Sequence, residues 1–342
     1  MKKQKTNASK ITHNNHYVPQ FYLEKWSPDH IHIYTYRLLV PDQRMPIWNY
    51  STIRSTGSWL DLYTRVVESE ELDDFEKWFN SEFETPVKPV LEKILSGSSI
   101  SSIESVCLSR YIASQHIRTP AGANHLFALL KKSWPHIIAD VHRKLNITPI
   151  PKANPTVPVE PDLFPVKITV DRDNQTIATE TLIGRGMYLY ALRHLLTNTA
   201  QIMDTYTWQV INAADGITFP TSDDPVICLN YYAENEYDFK GGWGMPNGNI
   251  IFPISPTKLL FTQIGSHRFV PELDHSQKWS LFFRKIILEH AHRYIYDFEP
   301  HDDVPHIRPR VVDREFFLFE QKEIENWHSE QLKAEQSLNQ SS

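Results

Sequence analysis

His13-Asn14-Asn15-His16-Tyr17-Val18-Pro19-Gln20-Phe21-Tyr22-Leu23 is the stretch on which the reading of this chain turns. It sets two histidines, three amides and three aromatics around one proline. Polar side chains embedded in apolar surface must find a partner or a ligand, so the cluster marks a candidate site. Pro19 biases Val18 toward extended backbone, and Gln20 to Trp26 then reads as a short helix with the proline in its first turn.

Working outward, residues 31–36 alternate as a strand, with a return strand after the Pro41–Pro46 turn. A helix is predicted over 69–84, with Leu72, Phe75, Trp78 and Phe79 on one stripe, and another over 86–95. Helices over 101–118 and 121–144 are separated at Pro120. Six prolines between 149 and 165 make a rigid connector at 146–165. Beyond it come a hairpin around 171–175, a helix over 183–203, strands at 206–213, 225–229, 250–254 and 259–264, a helix over 280–290, a strand at 294–296 and a last helix over 311–336. No regular strand–helix alternation supports a doubly wound sheet. The fold class is α+β, a helical N-terminal half packed against a mixed or antiparallel sheet with additional helices. Residues 1–12 read as a basic tail and 13–325 as a single large α+β domain. Its parts are a helical part at 66–145, the connector, and a mixed sheet and helix part at 166–325. Residues 326–342 read as a polar tail or helix end.

Hydrophobic residues at 41% and charged residues at 22% describe a globular chain that can bury a large core. A net charge of -6 argues against a broad basic footprint, though not against a local groove for phosphate. Two cysteines, Cys107 and Cys228, exclude a disulfide framework and make a reducing cytoplasm the simplest compartment. The opening MKKQKTNASK leads into no apolar run, and no window of eighteen apolar residues reads as a membrane span.

The segment His16-Tyr17-Val18-Pro19-Gln20-Phe21-Tyr22-Leu23 resembles the opening motif of a bacterial family catalogued as a domain of unknown function, DUF4238. The resemblance continues through Arg118-Thr119-Pro120, Phe219–Val226 and Phe252-Pro253-Ile254-Ser255-Pro256. It implies that these segments converge in one fold, and a bacterial or phage setting. It implies no activity, cofactor or catalytic residue.

The candidate chemistry rests on a few residues. His16 has the intrinsic range of a general base, and with His13 it would need a third ligand such as Asp223 or Glu82 to hold a metal. Extending the helix at 100° per residue places Glu82 on the apolar face, and Arg110 falls on the apolar face of its own helix. The two invite a buried ion pair, or else a phosphate-gripping arginine with Glu82 as acid or metal ligand. Glu71 lies about 16 Å along an unbroken helix from Glu82 and cannot share one metal ion with it. Arg118 reads either as a cap on its own helix's last carbonyls or as facing a polyanion. His194 and Asn198 read as a satisfied core network. Asp223 and Asp224 sit at a strand end, as a turn or as carboxylates for a divalent ion. Phosphate-loop, nucleophile-elbow and zinc-helix motifs are absent.

Two functions follow. One is a hydrolase, nuclease-like, acting on a phosphodiester or other anionic substrate. It uses His16, Glu82 and Asp223 as catalytic groups, Gln20, Arg110 and Arg118 to hold substrate, and a divalent metal such as Mg²⁺. Its partner would be nucleic acid or a small anionic ligand, with no membrane. The other is a non-catalytic ligand-sensing or protein-interaction protein that uses the same polar cluster structurally.

Overall fold

A computed structural model describes residues 11–67, 70–147, 166–171, 176–233, 235–265 and 274–340. In chain order, β1 (Asn14–His16) leads to α1 (Gln20–Leu23) and a 3₁₀ turn at Glu24–Trp26. Six short strands follow: β2 (His32–Arg37), β3 (Leu39–Val40), β4 (Trp48–Thr52), β5 (Ser58–Leu60), β6 (Arg65–Val67) and β7 (Glu70–Leu72). α2 (Asp74–Phe79) passes through a π-helical turn at Asn80–Glu84 into α3 (Thr85–Leu95). α4 (Ser102–Ile117) and α5 (Pro120–Ile147) complete the helical run.

β8 (Val166–Asp171) and β9 (Thr176–Thr181) then pair as a hairpin. α6 (Arg185–His194) continues through a π-helical turn at Leu195–Thr199 and a 3₁₀ turn at Ala200–Thr205. Next come β10 (Gln209–Asn212), β11 (Thr221–Ser222), β12 (Ile227–Ala233), β13 (Glu236–Asp238), β14 (Gly248–Ser255) and β15 (Lys258–Gln263). The chain closes with α7 (Gln277–His290), β16 (Tyr294–Asp297), α8 (Val304–Ile307), β17 (Val311–Val312) and α9 (Arg314–Gln340).

The architecture is α+β. One antiparallel sheet has the order β10-β15-β14-β12-β13, and a second the order β11-β16-β2-β4. The second sheet joins the two ends of the sequence, because β16 pairs with β2. Among the described residues no helix is long and apolar enough to cross a membrane.

The opening motif is built into the core against β14. Tyr22 stacks on Phe252, ring centroids 5.1 Å apart, and its hydroxyl donates to the Pro253 carbonyl at 2.8 Å. Trp26 Nε1 donates to the Phe219 carbonyl at 2.7 Å. These bonds satisfy polar atoms that burial would otherwise strand. The turn before β5 fixes the motif from the other side. Val18 N–H donates to the Gly57 carbonyl at 3.1 Å, and Gly57 has φ +63. A Cβ there would stand 3.0 Å from the Val18 Cβ. Gly57→Ala is therefore expected to destabilise the protein by about 1–3 kcal/mol. Urea unfolding checks this, and an unchanged midpoint would show that the turn relaxes freely.

Two expectations need correction. The helix predicted over 69–84 begins only at Asp74, because Glu70–Leu72 pairs antiparallel with Arg65–Val67. The last helix, predicted over 311–336, likewise begins only at Arg314, because Val311–Val312 pairs parallel with Leu39–Val40. Most of the proline-rich connector, and most of the N-terminal tail, lie outside the described residues.

Candidate active site: a polar seam at the α4–α5 junction

α4 starts with a full capping box, in which Ser101 and Glu104 satisfy each other's backbone amides. It ends at Ile117, and Pro120 opens α5. Arg118 and Thr119 occupy the corner between them, and the two side chains leave it in different directions.

Arg118 is 1% exposed. Its Nε donates to the Tyr17 carbonyl at 3.1 Å, and Nη1 to Glu84 Oε1 at 2.8 Å. The guanidinium carbon stands 5.0 Å from the Phe79 ring centre. With the Gln115 amide oriented by the donors facing it, its oxygen accepts from Nε and Nη2, each at 2.5 Å. The Tyr63 hydroxyl donates to the Arg118 carbonyl. Glu76 lies beside this cluster with Oε2 buried and without a hydrogen-bond partner among the described residues. Burial pushes its carboxyl up to about 7; the Arg118 charge opposes that shift and Glu84 adds to it. His16 faces the same cluster. Burial lowers its pKa, and its Nε2 must carry the hydrogen because it bonds the Arg54 carbonyl at 3.1 Å.

Thr119 points the other way. Its hydroxyl accepts from Gly122 N–H at 3.0 Å and donates to Asp224 Oδ1 at 3.1 Å. The second Asp224 oxygen stands 3.7 Å from His290 Nε2. His290 Nδ1 donates to the Asp224 carbonyl at 3.1 Å, which leaves Nε2 as a bare acceptor aimed at the carboxyl. Burial pushes Asp224 up to about 7, with the Thr119 bond opposing. Burial pulls His290 down to about 4; the Asp224 carbonyl resists this and Arg308 adds to it. Both side chains keep some solvent contact, at 13% and 14% exposure.

His116 extends this side of the seam. Its Nδ1 accepts from Trp243 Nε1 at 3.0 Å, and its Nε2 lies 3.6 Å from Cys228 Sγ. Burial and the nearby Asp224 push the Cys228 thiol up to about 12, so it stays protonated and is no thiolate nucleophile.

The structure brings His16 and Arg118 together and leaves other members of the expected set elsewhere. Arg118 ends its own helix through its backbone, but its side chain neither binds that helix's last carbonyls nor faces solvent; its charge is spent on Glu84. Glu82 is exposed, because the π-helical turn at Asn80–Glu84 breaks the 100° extrapolation and carries Glu84 inward instead. Arg110 is half exposed and bonds Asp204 at 3.1 Å, so the Glu82–Arg110 pair does not form. Gln20 is exposed on α1. Asp223 Oδ1 and Oδ2 accept from the backbone amides of His292 and Arg293, at 3.0 and 2.9 Å, which makes it the anchor of that turn.

Further from the seam, His13 pairs with Asp61 at 2.7 Å rather than with His16, and Glu71 bonds His328 at 3.1 Å. His194 is exposed, so its 3.3 Å contact with Asn198 is a surface bond and not a core network. Among the described residues no three His, Cys, Asp or Glu side chains are disposed to hold a metal ion.

Sequence reasoning missed Glu76, Glu84, Thr119, His116 and His290. The only available signal was the crowding of titratable residues at Asp223-Asp224 and at His290-Ala291-His292-Arg293, and nothing local says that the two runs meet.

No curated protein and no solved structure matches the chain. A family model does match, over residues 14–300, a span that holds both sides of the seam. The chain belongs to the family described as "Protein of unknown function (DUF4238)".

Proposed function

We propose that the protein is a hydrolase of anionic substrates, phosphodiesters among them, with Asp224 as the group that moves the proton. The observation that carries this reading is the Asp224–His290 pair, whose pKa values are displaced in opposite directions and whose facing atoms are 3.7 Å apart. A carboxyl held near neutrality is half ionised at working pH, which suits one group to act first as base and then as acid. The Asp224 carboxylate takes a proton from water as the water oxygen bonds to phosphorus. The carboxyl returns that proton to the leaving oxygen as its bond to phosphorus breaks. His290 is a positioning residue, since its bare Nε2 accepts from the neutral carboxyl and Thr119 holds the other oxygen. The cytoplasm fits two free thiols.

Asp224→Asn is expected to lower kcat on a chromogenic phosphodiester at least about 100-fold. His290→Gln should lower it less and move the pH midpoint away from about 7. Turnover by wild type that Asp224→Asn leaves intact would sink the reading. A second reading, ligand sensing without turnover, is favoured by the saturation of Arg118, since a spent guanidinium has nothing left with which to clamp a substrate.

A further inference from the structure

We infer that the turn after α7 is an oxyanion-binding site, in which Arg308, His290 and His292 together receive a phosphate group. The turn is rigidly made. α7 ends at His290, and beyond Ala291 the Asp223 carboxylate clamps the amides of His292 and Arg293. Arg308 arrives from the end of α8, its carbonyl held by the Tyr36 hydroxyl at 2.7 Å.

The guanidinium itself is poorly used. Nη2 makes one long bond of 3.3 Å to the Ala291 carbonyl. Nε is buried and has no partner among the described residues. A guanidinium offers five N–H donors in a planar fork, so most of its capacity is idle. The His292 ring likewise has no hydrogen-bond partner among the described residues, and His290 Nε2 has only the 3.7 Å approach to Asp224.

Among the described residues no carboxylate pairs with Arg308. Asp223 spends both oxygens on amides, and Glu320 bonds Arg293 Nε at 2.6 Å. Asp224 is held by Thr119. Arg308 is near enough to both imidazoles to disfavour their protonation, with burial the larger cause in each case. A guanidinium with one long carbonyl bond and no carboxylate partner, set beside two imidazole rings, is the arrangement an oxyanion completes. The anion would pair with the guanidinium and allow the His292 imidazole to take up a proton and donate to it, while His290, turned toward Asp224, lines the site. The inference rests on the reading of Asp224 and His290 as the working pair in that it supplies the charge their substrate carries, yet binding is measured without turnover.

The experiment is calorimetric titration of the full chain with inorganic phosphate at pH 6.5, in two phosphate-free buffers of different ionisation enthalpy. Saturable binding with net proton uptake is expected. Arg308→Gln should weaken it at least tenfold, while His292→Gln should keep binding and take up fewer protons. Parallel titrations with a phosphomonoester and a dinucleoside phosphodiester distinguish a terminal phosphate from a nucleic-acid backbone as its source. Thermal unfolding confirms that each variant folds, and Arg308→Lys keeps the charge without the fork and should bind at an intermediate level. Absence of saturable binding to all three probes, or equal binding by Arg308→Gln, would overturn the inference. Phosphate binding that needs Arg308 alongside turnover indifferent to Asp224 would leave this site standing and remove the acid–base reading; the reverse pair of results would do the opposite.

Discussion

Arg118→Met is expected to lower the free energy of unfolding by about 3–5 kcal/mol, the range for breaking a buried ion pair from one side. Methionine keeps an apolar stem against Phe79, so the loss isolates the charge and its bonds. What remains is severe. Glu84 loses its cation, the Tyr17 carbonyl and Gln115 lose their donor, and Glu76 loses the charge that partly offsets its burial. Denaturant unfolding followed by circular dichroism measures the change. Arg110→Met is the matched control. Its pair with Asp204 is half exposed at the arginine, so the expected cost is only about 0–1 kcal/mol. Equal costs for the two variants would show that Arg118 is no anchor.

Glu76→Gln is expected to become progressively more stable than the parent as pH rises from 4.5 to 8. The Glu76 carboxyl lies at about 7 in the folded protein against an ordinary 4.5, chiefly through burial. Below the lower value both states hold the proton and the group contributes nothing. Between the two, the folded state keeps a proton that the unfolded chain has released, so stability falls with rising pH. Over that interval the loss sums to about 3 kcal/mol, and glutamine escapes it.

Three buried imidazoles act in the opposite sense. His116, His290 and His292, held at about 4, add stability as pH rises toward the unfolded histidine value of 6.5. The parent's own pH curve is therefore a sum, and the variant-minus-parent difference is the informative quantity. A difference that stays constant from pH 4.5 to pH 8 would show that Glu76 is not held protonated by the fold.

Local pattern made much of the fold legible. Alternation located β2, Pro19 located the start of α1, and Pro120 located the corner between α4 and α5. Pairing hid what pattern could not carry. Glu70-Glu71-Leu72 has helical composition, yet cross-strand bonds to Arg65–Val67 take precedence.

The site was less legible, for two reasons. The first is phase. At 100° per residue Glu84 falls about 180° from Phe75, on the solvent side, and Glu82 falls inward. The π-helical turn winds each residue through less, so the two glutamates exchange roles. No residue in Asn80–Glu84 announces such a turn. The second is distance along the chain. Arg118 reaches back to Tyr17, and His290 meets Asp224 across a separation of 66 residues. A helix-end arginine read by itself suggests a cap, and only the tertiary fold supplies the Glu84 carboxylate.

The corner at Arg118 and Thr119 carries a mechanical consequence. The carbonyl gripped by Tyr63 and the amide of Thr119 belong to one planar peptide unit. The Glu84 cluster and the Asp224 cluster are thus wired in series through a single rigid plate. Tilting that plate by a few degrees re-aims the guanidinium on one side and the threonine hydroxyl on the other. A displacement of Asp224 that moves this peptide unit is felt at Tyr17, the residue after β1, through the Arg118 Nε–carbonyl bond.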